Sequence, residues 1–86
     1  MPEIKVAEVI KFFAKPSVAA LLVTDGPLKV GDTIRVKGHT TDFTMVVDSM
    51  QINNQSVSEA KTGDDVGILV KERTRPGDIA YKVTEG

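Results

Sequence analysis

Apolar and polar residues alternate in several short stretches of this chain, and turn-forming residues separate the stretches. In the clearest stretch, Ile34 and Val36 alternate with Arg35 and Lys37. Successive side chains of a strand point to opposite faces, so this pattern is typical of a strand with one buried face. Strands are predicted over residues 4–13, 17–23, 33–37, 43–52, 66–70 and 79–83. No long helical pattern appears.

The alternation changes phase inside two of these stretches. It slips around Ala7–Glu8, and a bulge in a long first strand would explain the slip. A helical period also fits part of that stretch, but its β-branched residues favour a strand. The second change falls near Val46–Asp48. It predicts a bulge or a strong coil within one long strand over residues 43–52.

Three Gly-Asp pairs each precede a predicted strand, at Gly31–Asp32, Gly63–Asp64 and Gly77–Asp78. Gly63 can supply a positive φ, and either Asp64 or Asp65 can cap its turn through the side chain. Gly67 lies inside a strand, where glycine marks a bulge, a tight bend or a close backbone approach. The repeated turn and strand predict an all-β fold, one small closed barrel.

Length and composition limit the chain to one domain, residues 1–86. Cysteine is absent, which excludes disulfides and thiolate chemistry. The longest apolar run, Val18–Val23, is far shorter than the ~20 residues that span a bilayer, and the start of the chain has no signal-peptide pattern. We therefore expect a soluble, cytoplasmic protein without a membrane partner. The net charge of −1 argues against strong non-specific binding of nucleic acid.

Three basic residues, Lys71, Arg73 and Arg75, follow one another at a spacing of two. In a strand their side chains would share a face, which makes them the best candidates for phosphate contacts. An ordinary solvated strand face is the alternative, since Glu72 interrupts the series.

His39 is the only histidine, and with Asp42 it would form an acid–base pair or half of a metal site. A metal site needs a second cluster of ligands, which the sequence lacks. A surface loop in which these polar groups bond to the backbone is the alternative. Asp64 and Asp65 are adjacent, so in a strand they point to opposite faces and cannot form a catalytic dyad.

Several of these turns together resemble the second domain of translational GTPases such as elongation factor Tu and elongation factor 1-alpha. The resemblance rests on the segments 47–52 and 57–67, with the turns at 28–32 and 75–78, and extends from about Lys5 to Val83. It is strongest for small, free-standing elongation-factor-like proteins. It implies a closed six- or seven-stranded antiparallel Greek-key barrel.

The resemblance also implies where a ligand would bind. In the family this domain helps to hold the acceptor end of charged tRNA and contacts the small ribosomal subunit. The chain has no G-x-x-x-x-G-K-[ST] loop, so no GTP is expected. The family's pocket corresponds here to Met50, Gln51, Ile52, Asn53, Asn54, Asp64, Asp65 and Val66.

The leading functional hypothesis is a non-enzymatic binding module that docks to RNA, including tRNA, to the ribosome, or to a protein of the translation apparatus. The alternative is an accessory, substrate-placing subunit of a separate RNA-modifying or peptidase-like enzyme. A small enzyme centred on His39 and Asp42 is a third hypothesis. No catalytic residue, metal or cofactor is expected. The expected contact residues are Lys71, Arg73, Arg75, Gln51, Asn53, Asn54, Asp65 and His39.

Overall fold

The computed structural model describes residues 3–84, and within that range the chain forms β-strands and turns without a helix. It therefore offers no helix of the length and apolar character needed to cross a bilayer. The strands are β1 (Glu3–Phe13), β2 (Val18–Val23), β3 (Leu28–Lys29), β4 (Thr33–Lys37), β5 (Asp42–Val46), β6 (Met50–Ile52), β7 (Gln55–Val57), β8 (Glu59–Ala60), β9 (Asp65–Leu69) and β10 (Ile79–Val83).

Eight of the strands form one antiparallel sheet in the order β5-β4-β10-β1-β2-β9-β6-β7. The other two, β3 and β8, pair with each other. The all-β, antiparallel prediction is confirmed. The predicted closure into a six- or seven-stranded barrel is wrong, because among the described strands the large sheet is open, with β5 and β7 at its edges.

The open sheet has a local cause in the stretch predicted as one strand over 43–52. Residues 47–49 leave the strand conformation, so β5 pairs with β4, whereas β6 pairs with β9. The chain then turns back, and β7 covers the remaining edge of β6. Both edges of β6 are therefore paired, and neither is available to pair with β5. The phase change near Val46–Asp48 thus marks a break between two strands rather than a bulge.

The first strand contains the irregularity that its sequence predicts. Its register against β10 shifts between Lys5 and Ala7, and its register against β2 shifts between Val9 and Lys11. Val6 and Ala7 are both buried although they are consecutive, which an unbroken period of two would not allow. The two shifts let one long strand pair with both neighbours along a curved path.

The three Gly-Asp turns share one geometry. In each, the glycine has φ between 95° and 97° and the residue before it has negative φ, which defines a type II turn. The aspartate carboxylate accepts the backbone N–H of the residue three positions earlier, at 2.8 to 2.9 Å. These N–H donors belong to Lys29, Lys61 and Arg75.

Each turn is also tied to a buried valine on another segment. The glycine N–H donates to the valine carbonyl, and the valine N–H donates to the aspartate carbonyl, at 2.8 to 3.0 Å. The turn at Gly31 bonds to Val47, the turn at Gly63 to Val23, and the turn at Gly77 to Val9. The aspartate is then followed by β4, β9 or β10, so each turn fixes the start of a strand.

The core lies on the inner face of the sheet. Alternate residues of β2, β4 and β9 are buried, as the period of two predicts. The largest of the fully buried side chains are Leu21, Leu28, Ile34, Met50 and Ile68. The opposite residues of β2 and β9 are left on the outer face, where the candidate site is found.

Asp64, and not Asp65, caps the second turn, and the adjacent pair offers a matched test. We expect Asp64→Ala to lower the free energy of unfolding by about 1 kcal/mol, since the Lys61 N–H loses its acceptor. Asp65→Ala removes an exposed carboxylate with no side-chain bond within residues 3–84, and should change stability by less than about 0.5 kcal/mol. Urea denaturation of the two variants measures the difference. Equal losses of stability in the two variants would contradict the role of the Asp64 carboxylate in closing the turn.

Thr74 is buried, and its hydroxyl has no hydrogen-bond partner among the residues that the structure describes. Burial of an unpaired hydroxyl is unfavourable, so we expect the nearly isosteric Thr74→Val to raise the free energy of unfolding by on the order of 1 kcal/mol. Thr74→Ser keeps the hydroxyl and loses the methyl, and should be destabilising. Thermal unfolding of both variants checks the prediction, which fails if Thr74→Val and Thr74→Ser change the melting temperature in the same direction and by the same amount.

Candidate functional site

A shallow groove crosses the outer face of the sheet where β2, β9 and β6 lie side by side. Ala20 on β2 is level with Gly67 on β9, which is level with Gln51 on β6. Cross-strand partners project to the same face, so these positions form one surface. Two connected depressions, of about 160 and 280 Å³, share Val18, Gln51 and Gly67.

We call these two depressions together the groove. Its floor is Val18, Ala20 and Gly67, its apolar end is Pro16 and Leu69 with Ser49 beside them, and its polar end is Gln51, Asn53, Asn54 and Asp65. The structure thus brings four of the eight predicted contact residues to one place. The sequence analysis did not predict on which face of the sheet Val18 and Ala20 lie. For the floor of the groove, only Gly67 within β9 indicated an unusual position.

The two-residue turn between β6 and β7 builds the polar end. Asn53 and Asn54 have φ values of 52° and 65°, and their neighbours Ile52 and Gln55 pair across the hairpin. Two successive positive φ values define a type I′ turn, which asparagine tolerates better than most residues. The two asparagines therefore serve the turn, and their exposed amides stand beside the groove.

The polar end has unused hydrogen-bonding capacity. Within residues 3–84, the side chains of Gln51, Asn53, Asn54 and Asp65 make no hydrogen bond or ion pair, and all four are exposed. The three amides each offer a donor and an acceptor, and the carboxylate offers acceptors only. A polar ligand could bond to these groups without displacing a contact of the fold.

Exposed apolar side chains continue the groove beyond its apolar end. Phe13 on β1 is level with Val18, and Val18 is level with Leu69. Phe13 is 46% exposed and Leu69 is 52% exposed. The Lys11 ammonium lies 5.2 Å from the centre of the Phe13 ring, within range of a cation–π contact. The groove therefore runs from an apolar end to an end with one negative charge.

The prediction that Lys71, Arg73 and Arg75 lie on one face of a strand is wrong. Residues 70–78 form bends and turns after β9, so Lys71, Arg73 and Arg75 do not share a face of the sheet. The Arg75 N–H donates to Asp78, which commits this end of the segment to a turn. The three cationic side chains are exposed and have no ion pair within the described range. Their contact with phosphate stays a prediction.

The histidine and the acid of the predicted pair do not come together. Both carboxylate oxygens of Asp42 accept from the Arg35 guanidinium, at 2.8 Å each. Arg35 also donates to Glu3 at 3.0 Å. His39 is exposed in the loop between β4 and β5 and has no side-chain partner among residues 3–84. Asp42 is therefore engaged by an arginine rather than available to orient a histidine.

The bond from Arg35 holds the pKa of the Asp42 carboxyl below its ordinary value, and the two carboxylates raise the pKa of Arg35. The hydrogen bond that the Lys5 ammonium donates to the Glu8 carboxylate likewise raises the pKa of Lys5. Across residues 3–84 no three His, Cys, Asp or Glu side chains are grouped so that they could hold a metal ion.

Comparison with known proteins gives relatives that are much longer than this chain. No family model matches it. It is 40% identical over 84 residues to an uncharacterized protease of Methanocaldococcus jannaschii, which covers 96% of this chain and 20% of that protein. It is 35% identical over 81 residues to a collagenase of Porphyromonas gingivalis, again over 20% of that protein. The chain spans about a fifth of the length of these relatives.

Solved structures match nearly the whole chain. The C-terminal domain of a putative U32 peptidase from Geobacillus thermoleovorans superposes with a TM-score of 0.86, covering 93% of this chain and 92% of that domain at 17% identity. Its selenomethionine variant gives a TM-score of 0.85 and covers 98% of that domain. This chain has the fold of that domain.

These findings overturn the resemblance to translation factors. The relatives are named protease and collagenase, and the structural neighbours come from a protein named putative U32 peptidase. The family assignment and the hypothesis of a module for the ribosome or translation apparatus are therefore wrong. The physical reason is that the resemblance rested on Gly-Asp turns. Such turns meet a local backbone requirement, and that requirement can recur in unrelated β-domains.

The ion pair at Asp42 predicts a dependence on pH. Because its pKa is lower in the folded state, its contribution to stability is present above its ordinary pKa of 3.8 and is lost as pH falls through the folded value. We expect Asp42→Asn to lower the melting temperature at pH 7 and to match the unmodified chain at strongly acidic pH. Asp48→Asn, at an exposed site without an ion pair in the described range, is the control. A difference in melting temperature between Asp42→Asn and the unmodified chain that stays the same at all pH values would contradict the prediction.

Proposed function

We propose that this chain is a non-catalytic accessory module of a peptidase-like enzyme. We use the term catalytic body for the part that breaks the substrate bond, carried on the same polypeptide or on a separate one. The observation that supports the proposal is the alignment of nearly the whole chain with a fifth of proteins named protease and collagenase. Four fifths of each relative remain for other tasks.

The groove supports a role in placing a substrate. Its lining combines apolar side chains with exposed amides and a single carboxylate, Asp65. No histidine or second carboxylate lines it beside Asp65, as general acid–base catalysis on a pair of groups would require. Groups of this kind bind and orient a polymer, and orientation alone accelerates a reaction when it holds the substrate at the reacting centre.

The class of substrate that we propose is a polypeptide. The relative named collagenase supports this choice, as does the protein named putative U32 peptidase from which the structural neighbours come. In this proposal the module binds a stretch of the substrate chain at some distance from the bond to be broken. It then lowers KM for long substrates more than for short ones, because only long substrates reach both sites.

A second candidate is the same accessory role beside an RNA-modifying enzyme. The observation that favours it is the exposed segment with Lys71, Arg73 and Arg75, whose cationic groups have no ion pair within residues 3–84. Three free cations on a short segment suit contact with phosphate groups. This candidate predicts binding that weakens strongly with salt, and its contact residues are outside the lining of the groove.

Reconstitution with the catalytic body tests the proposal. The tagged chain is purified from native lysate at low salt with and without ribonuclease, and the protein that remains bound after ribonuclease is isolated. We expect a peptidase-like protein whose KM for gelatin falls several-fold when the chain is added, with an unchanged KM for a short peptide. The exposed-site variant Ile4→Thr should act like the unmodified chain.

Two results would contradict the proposal. One is hydrolysis of gelatin at the same KM with and without the chain. The other is recovery of RNA together with proteins that ribonuclease releases. Loss of that RNA in a variant with Lys71, Arg73 and Arg75 changed to serine would then favour the second candidate.

A further inference from the structure

Gly67 occupies a strand position that does not require glycine. The register of β9 against β2 runs without a shift from Val18–Leu69 to Leu22–Asp65, so Gly67 is not at a bulge. Its φ is not positive. A Cβ built on it would meet its nearest atom, Val18 Cγ1, at 3.5 Å, which is ordinary van der Waals contact. Glycine weakens a strand, so its presence here lacks an explanation inside the fold.

The other described glycines each have such an explanation. Gly31, Gly63 and Gly77 have the positive φ that the type II turns require. Gly26 and Gly38 are packed so closely that a side chain would collide, at Gly26 with the Thr62 N–H and at Gly38 with the Asp78 carboxylate. Gly67 differs from all five, because it has neither a positive φ nor a neighbour with which a Cβ would collide, and it lines both depressions of the groove.

A glycine with no internal reason marks a place where something approaches the backbone from outside. We propose that the groove binds an extended peptide that runs along β9 and passes directly over Gly67. This inference deepens the proposed function and rests on it for the role of the bound peptide, which is a segment of the substrate of the catalytic body. A side chain at position 67 would occupy the space through which the peptide passes.

The charges of the groove favour a peptide over a nucleic acid. Its one charged lining residue is Asp65, and no cation lines either depression. A phosphate backbone would be repelled there, whereas a lysine or arginine of a peptide would be attracted. The amides of Gln51, Asn53 and Asn54 match the alternating donors and acceptors of a peptide backbone. Pro16, Val18 and Leu69 at the other end suit one large apolar side chain.

The spacing of these features fixes the form of the peptide. Leu69 and Asp65 are four residues apart on β9, which in a strand is about 13 Å. An extended peptide has the same rise, so a large apolar residue at its position i would align with Leu69 and a basic residue at i+4 with Asp65. Both project toward the sheet, and so does residue i+2, which lies over Gly67. The close approach requires a small residue at i+2.

Fluorescence anisotropy with synthetic peptides tests this inference. The probes are peptides that carry a fluorophore at the N-terminus and contain Leu-Ser-Gly-Ser-Lys or the reverse order, because the groove does not fix the direction of the peptide. Matched controls carry leucine in place of the central glycine, or move the lysine by one residue so that it projects away. We expect one of the two orders to bind and both of its controls to bind at least tenfold more weakly.

Variants of the chain separate the groove from the rest of the surface. We expect Gly67→Leu to weaken binding at least tenfold. Gly67→Ala, which fits the strand without a collision, should weaken binding while raising the melting temperature. Asp65→Lys should shift the preference to a peptide with glutamate in place of lysine, whereas Asp48→Lys makes the same change of net charge outside the groove and should leave the preference unchanged.

The inference is overturned if neither order binds, if Gly67→Ala keeps full affinity, or if Asp65→Lys keeps the preference for lysine. Binding of single-stranded polyuridine that Gly67→Leu abolishes would also overturn it and would assign the groove to RNA. These failures differ from failure of the proposed function. The chain can still lower KM for gelatin through another surface, and a peptide can bind to the groove although no catalytic body responds to the chain.

Discussion

Three of the strands each begin directly after a Gly-Asp turn that forms two backbone hydrogen bonds with a buried valine, and these bonds determine where the strand begins. The valine accepts from the glycine N–H and donates to the aspartate carbonyl, so the turn and a distant segment satisfy each other's backbone groups. The carboxylate of the same aspartate closes the turn from inside. A chain of this size with no disulfide depends on such non-local backbone bonds to hold its ends and loops together.

The groove follows from the second of these turns. Because Gly63 and Asp64 are bound to Val23, the next residue, Asp65, begins β9 opposite Leu22. The period of two then places Asp65, Gly67 and Leu69 on the outer face, while Val66 and Ile68 enter the core. A turn that started one residue later would reverse every side chain of the strand. The turn therefore sets which face carries the carboxylate, the gap at position 67 and the apolar end.

Much of the fold was predictable, because it depends on local features that a sequence displays. The sequence pattern located the stretches that contain β1, β2, β4, β5, β6, β9 and β10, although it missed the short strands β3, β7 and β8. The positive φ that was expected at Gly63 is confirmed. The phase slip near Ala7 indicated the irregular register of β1. The groove was partly predictable, since Gln51, Asn53, Asn54 and Asp65 were expected contacts, although the reasoning that chose them came from the wrong family.

The errors concern non-local relations. A phase change looks the same in sequence whether the strand bulges or breaks, and only the pairing of β6 with β9 and β7 decided that residues 47–49 form a break. Lys71, Arg73 and Arg75 have the spacing of a strand, but the turn at Asp78 occupies the backbone there. Asp42 was assigned to the nearest histidine in sequence, whereas its actual bond is to Arg35 on the neighbouring strand.

The groove across β2, β9 and β6 is the central claim, and mapping of backbone amide chemical shifts tests it most directly. The isotope-labelled chain is titrated with an unlabelled tryptic digest of gelatin. We predict that the shifts that change first are those of Gly67, Asp65, Gln51 and the two asparagines of the β6–β7 turn, with the segment 71–75 unaffected. Changes confined to residues 71–75, or no change at saturating peptide, would contradict the claim.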